Sequence, residues 1–170
     1  LAARLAESTR EAQSRERETR ALYELARDLG AALALGQVTE TLERFLGNLA
    51  LRAGLLIDES LPERGEFVAY GAYRPSTADL VQARSAYDRN TIVEPGFLGG
   101  TTATFLPFSG TTRVRGVLAV VPRNGDAGII RAQRPVLEAV ASLVGIAIER
   151  IHYADIARQS ELAAQTEKLR

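Results

Sequence analysis

The chain has 170 residues, 46% of them hydrophobic and 25% charged, enough for one domain with a core and too few for two. Its 21 basic residues balance 21 acidic ones, so no net field draws nucleic acid or an anionic membrane to the surface as a whole. The absence of cysteine excludes disulfides, thiolate metal sites and cysteine nucleophiles, and a single histidine excludes a multi-histidine metal site.

No apolar run approaches the ~20 residues that span a bilayer. The start, Leu1–Arg20, is studded with charge, unlike a secretory signal. The expectation is therefore a cytoplasmic piece of a longer chain, since it opens without Met and closes inside a helical pattern.

Residues 1–35 form the first zone. Six arginines and six acids lie between Leu1 and Gly30, with no proline and no earlier glycine. Glu11 with Arg15 and Glu16 with Arg20 stand four apart in the favourable acid-first order. So polar a helix needs a partner to be stable. Leu22, Leu25 and Leu29 supply an apolar seam for a second copy; the alternative is a solvated helix that only caps the domain.

The globular zone follows, over residues 36–150. Val38, Leu42, Phe45, Leu46 and Leu49 predict an amphipathic helix. Ala53–Ile57 and Glu66–Tyr73 predict a β-hairpin around the polar turn Asp58–Gly65. Ser76 and Asp79 have the spacing of a capping box and open a short helix to about Arg89. Asn90–Thr102, with Pro95, Gly96, Gly99 and Gly100, predicts a loop. Ala103–Ser109 and Val114–Val121 predict a second hairpin. Within it, Gly116–Val121 is apolar on both faces and should be a central strand, whereas Pro107 calls for an unpaired edge or a bulge.

From about Ala132 one long helix runs to the end, with Pro135 tolerable only near its start. Leu137, Val140, Val144, Ala147, Ile148 and Ile151 make one stripe, and Val136, Leu143 and Ile146 widen it enough for two packing partners. Past Ile151, over residues 151–170, it thins to Asp155, Arg158, Leu162, Gln165 and Leu169, a coiled-coil spacing with polar interruptions. Val144, Ile148, Ile151 and Leu162 are the expected dimer positions on this helix.

No catalytic site can be assembled from these residues. His152, the one candidate base, lies in the middle of the long helix, where a surface or interface role fits. Gly96–Gly100 lacks the lysine of a phosphate loop, no calcium-loop spacing occurs, and basic clusters interleaved with aromatics are missing. No metal and no cofactor are expected. Binding remains: Tyr73, Arg74, Tyr87, Asn90, Thr101, Thr102 and Thr104 could line a pocket closed by Ser76–Phe108 over one sheet face. The alternative is an irregular connection over a packed interior.

The order of elements resembles that of a GAF domain. The resemblance is carried by Phe105-Leu106-Pro107-Phe108 followed by Val114-Arg115-Gly116-Val117-Leu118-Ala119-Val120, and by the last helix, Leu137–Arg150; it covers most of Leu22–Arg150. Arg17–Leu29, Tyr87-Asp88-Arg89-Asn90 and Thr166–Arg170 are similar to segments of the GAF region in Kdp-type (KdpD) sensor histidine kinases. Gly99-Gly100-Thr101-Thr102 departs from that group's pattern by lacking an Asp. The resemblance implies an α/β (α+β), GAF/PAS-like fold: a central antiparallel sheet with helices on its faces, flanked by long signalling helices. It further implies a non-enzymatic sensory or relay domain, homodimeric through those helices and regulating potassium-transport genes, with a small molecule or ion as candidate ligand. Membrane helices, an ATP site and a phosphorylated histidine would belong to the parent inner-membrane protein. A ligand-free spacer in another signalling protein is the alternative. A third class, the GAF relatives that reduce methionine sulfoxide, is excluded by the lack of cysteine.

Overall fold

The computed structural model describes residues 1–59, 65–96 and 100–170; the parts of the predicted turn and glycine loop at 60–64 and 97–99 lie outside them. Five helices and four strands are present among these residues: α1 (Ala2–Ala31), α2 (Leu35–Gly47), β1 (Leu51–Asp58), β2 (Phe67–Tyr70), α3 (Thr77–Arg89), β3 (Thr104–Ser109), β4 (Val114–Pro122), α4 (Ala127–Ala132) and α5 (Arg134–Lys168). The strands form one antiparallel sheet in the order β2-β1-β4-β3. Among the described residues no helix is long and apolar enough to cross a membrane.

Side-chain alternation divides the apolar residues of the sheet between two cores. Leu55, Leu106, Phe108, Leu118 and Val120 face α1, α2 and α5, while Leu56, Phe105, Val117 and Ala119 face Ala83 and Ala86 of α3. β4 lies between β1 and β3 and is buried on both sides, as its unbroken apolar run requires. Pro107 sits on β3, at the edge of the sheet, where the ladder hydrogen bond it cannot donate is not needed. The capping box is complete: Ser76 Oγ accepts the Asp79 N–H at 3.1 Å, and the Asp79 carboxylate accepts the Ser76 N–H at 2.8 Å.

Two details depart from the sequence reading. A six-residue helix, α4, precedes the long one, started by Asp126, whose carboxylate accepts the Gly128 N–H at 2.9 Å. It is too short to show a helical period, and only its cap marks it in the sequence. The second departure concerns the long helices. Leu25 and Leu29 of α1 and Val144, Ile148 and Ile151 of α5 are buried in the chain's own core, Leu22 packs at its margin, and Leu162 is exposed. The broad apolar arc of α5 is covered for the most part by the sheet on one side and by α1 and α2 on the other, while Ile146 stays exposed. Of the positions expected at a dimer seam, the buried ones are thus covered by the chain's own core, while Leu162 stays open to solvent.

α5 approaches β3 closely because Gly145 has no side chain. A Cβ there would lie 2.0 Å from the Ser109 carbonyl oxygen, backbone that cannot step aside. Gly145→Ala is thus expected to cost about 2–3 kcal/mol through a forced shift of the helix. Urea unfolding should show a lowered midpoint with helical content retained, and an unchanged midpoint would contradict this contact.

Candidate functional site

The seven residues singled out as pocket candidates are divided by the fold. Tyr87, on α3, meets Phe67 edge-on with ring centroids 5.6 Å apart and donates its hydroxyl to the Val114 carbonyl at 3.3 Å. Tyr73 packs on the same apolar cluster, tight against Gly54, where a Cβ would fall 2.8 Å from that of Tyr73. Burial first, and then the Asp79 carboxylate, push the Tyr73 phenol above its usual pKa; burial and then Asp58 do the same to Tyr87. Arg74 is exposed and donates to the Gly71 carbonyl at 2.6 Å. Asn90 caps α3 in the left-handed conformation, φ 50°, which Asn tolerates better than most residues. Thr101 and Thr104 are buried and Thr102 is exposed. By alternation Thr104 belongs with Leu106 and Phe108, on the sheet face away from the two tyrosines.

The structure therefore brings Tyr73 and Tyr87 to one face, puts Thr104 on the other, uses Asn90 as a helix cap and leaves Arg74 and Thr102 exposed. Beneath α3 the space is filled by Leu56, Ala83, Ala86, Phe105 and Val117, all fully buried. Arg84 ties this helix down: its guanidinium lies 4.1 Å from the Phe67 ring centroid and 3.3 Å from Asp58 Oδ2.

A second cluster, absent from the sequence reading, lies where α5 meets the β3–β4 turn. The ladder shifts register between Phe108 and Ser109, which pair with Gly116 and Val114, so Arg115 is the extra residue of a bulge. That bulge lets the Arg115 side chain reach α5 from a strand whose neighbouring residue, Val117, faces α3. Arg115 and Glu149 are only 8% and 6% exposed, with Nη2 and Oε1 3.1 Å apart. The other carboxylate oxygen accepts the Thr111 N–H at 2.6 Å and its hydroxyl at 2.8 Å. Arg115 Nη2 also lies 3.4 Å from the Tyr153 hydroxyl. One residue further on, Arg150 donates to the carbonyls of Leu29, at 3.1 Å, and Ala32. α1 carries no basic residue in its last turn, so Arg150 supplies the cation that its C-terminal dipole favours. The signal in the sequence was a lone arginine inside an apolar strand and a lone acid inside an apolar helical stripe. Each demands a partner when buried.

This arrangement has a pH signature. The Thr111 N–H, then its hydroxyl, and then Arg115 hold the Glu149 carboxyl down at about 2, against an ordinary 4.5. A depressed carboxylate stabilises the fold fully above its unfolded pKa, and that contribution disappears as pH falls through the folded one. Between pH 4.5 and pH 2 the urea midpoint of the natural chain should fall more steeply than that of Glu149→Gln. Parallel curves would show that Glu149 is not held in this way.

No protein-family profile and no curated protein matches the sequence. Solved structures do match the fold. The GAF domain of the potassium sensor histidine kinase KdpD from Escherichia coli is 23% identical, with a TM-score of 0.64 over 82% of this chain and 98% of that one. The GAF domain of an Acinetobacter phosphoenolpyruvate-protein phosphotransferase is 12% identical, with a TM-score of 0.56 over 81% of this chain and 95% of the other. The A. aeolicus nlh2 GAF domain, in an inactive state, is 13% identical, with a TM-score of 0.56 over 79% and 97%. The four-stranded antiparallel sheet with helices on both faces matches these structures, so the chain has the GAF-domain fold, and its own α1 and α5 are long terminal helices.

Proposed function

We propose that this chain is a cytoplasmic relay domain of a two-component sensor histidine kinase, of the Kdp type that responds to potassium, and that it works as a parallel homodimer through α1 and α5. Its role is to pass a rearrangement from one helix to the other and carries no chemistry of its own. In the full-length protein, membrane segments and the kinase core would lie outside the chain described here.

The observation that carries this reading is the pair of projecting helices. Every residue from Leu1 to Arg20 and from Asp155 to Arg170 is exposed, so both helices extend well beyond the globule. α5 has 35 residues and is about 52 Å long. Long polar helices of this kind are unstable alone and gain order from a partner. A stripe for one is available on α5, where Leu143, Ile146, Arg150, Tyr153 and Ala157 recur at steps of three and four on the side turned away from Val144 and Ile148. Ile146 is 60% exposed and Tyr153 52%, unusual for large side chains in the middle of a packed helix.

Two further points support relay. The interior beneath α3 is filled, which favours transmission over ligand sensing at that face and leaves the spacer as the second reading. Arg150 joins the end of α1 directly to α5, so a displacement of one helix is felt by the other. A change passed this way shifts a two-state dimer only if the two states differ in these contacts.

Sedimentation equilibrium tests the proposal. The natural chain should be dimeric at micromolar concentration, and Ile146→Glu should weaken that dimer by tenfold or more while leaving circular dichroism unchanged. A monomeric natural chain, or an Ile146→Glu dimer of undiminished strength, would overturn it.

A further inference from the structure

A cavity of about 490 Å³ lies where α5 leaves the globule, on the sheet face opposite α3. This is within the size range of small-molecule sites. Its apolar wall comes from Leu35 of α2, Ile57 of β1, and Ile148, Ile151 and Ile156 along one side of α5. Arg113 and Arg115 bring guanidinium groups to it, and His152 stands beside them. The acids that also line it are already engaged: Asp58 with Arg84 at 3.3 Å, Asp155 with Arg158 at 3.1 Å, and Glu59 with the Tyr70 hydroxyl.

Arg115 is the telling residue. It is 8% exposed, its Nη2 is taken by Glu149 and Tyr153, and its Nε–H has no acceptor among the described residues. A buried donor without a partner is costly, and native structures generally supply one from the protein, from water or from a ligand. We propose that this cavity binds a small carboxylate carried on an apolar body. The Nε–H is itself closed off from solvent, so it reaches a carboxylate oxygen when the guanidinium turns toward the cavity, Glu149 staying in place on Thr111, and the body then lies along the isoleucine wall. A carboxylate fits the arginine better than an alcohol or amide would, because a charge-assisted bond is about twice as strong as a neutral one. The isoleucine wall lies on the side of α5 away from the candidate dimer stripe, and the two meet at Tyr153, which touches Arg115.

Octanoate is the probe, titrated into the whole chain by calorimetry and followed by nuclear magnetic resonance. The expected result is saturable one-to-one binding that moves the Arg115 Nε–H resonance and the amides of Ile148–Ile156, while octylammonium, which has the same tail and no acceptor, does not saturate. Ile156→Glu, at a half-exposed rim position, should abolish the binding with the fold intact. Arg115→Lys, which keeps the charge and removes Nε, should weaken it about tenfold. If Arg115→Lys unfolds the chain, Ile156→Glu and the octylammonium control decide the matter. Equal binding of octylammonium would mean simple apolar partitioning. Shifts confined to α3 would place the site elsewhere, and no saturable binding would leave the Arg115 Nε–H buried without a ligand partner. Each of these overturns the proposal.

Discussion

One turn of α5, from Gly145 to Arg150, holds the molecule together at the point where its parts would otherwise separate. Gly145 removes the side chain that would keep the helix off β3, and this brings Glu149 within reach of the β3–β4 turn. Glu149 then closes on the Thr111 backbone and hydroxyl and on Arg115, while Arg150 reaches the other way to the last carbonyls of α1. Three elements far apart in sequence thus depend on six consecutive helical residues. Arg115 and Glu149 are buried, so neither can lose its partner cheaply.

A helix fixed at one turn and free beyond it behaves differently along its length. Up to Ile151 it is core, sharing Val140, Val144 and Ile148 with the sheet and with α1 and α2. Past Ile151 it leaves the globule, keeping touch through Tyr153 with Arg115, and from Asp155 onward every residue is exposed. Glu149 and Arg150 thus stand at the boundary between the packed and the exposed parts of the helix. The hairpin turn and the end of α1 are joined to α5 by hydrogen bonds, which are directional, in addition to the apolar contacts that Leu25 and Leu29 make with the same helix.

Much of this was legible in the sequence, for identifiable reasons. The period of Val38, Leu42 and Leu46, the unbroken run Gly116–Val121, the cap Ser76–Asp79 and the edge proline Pro107 each report a local rule that the fold obeys. What the sequence could not show was which side of an apolar stripe a partner would occupy. Leu25, Leu29, Val144, Ile148 and Ile151 have the spacing of an intermolecular seam, yet intramolecular packing produces the same spacing, and here it is the chain's own core that covers them. The hydrogen-bonding residues between Tyr73 and Thr104 suffered a related ambiguity. They are near one another in sequence, but Thr104 alternates to the far face and Asn90 serves as a helix cap. Arg115 and Glu149 lie 34 residues apart, and the bulge that turns one toward the other leaves no pattern that periodicity can detect.

Hydrogen exchange on the natural chain and on Glu149→Gln tests the joint most directly. If one turn of α5 couples the three elements, the substitution should speed exchange together in the turn at residues 110–113, in α5 around Gly145–Ile151 and at the end of α1 near Leu29. Faster exchange confined to the hairpin turn, with α5 and α1 as protected as before, would contradict the account.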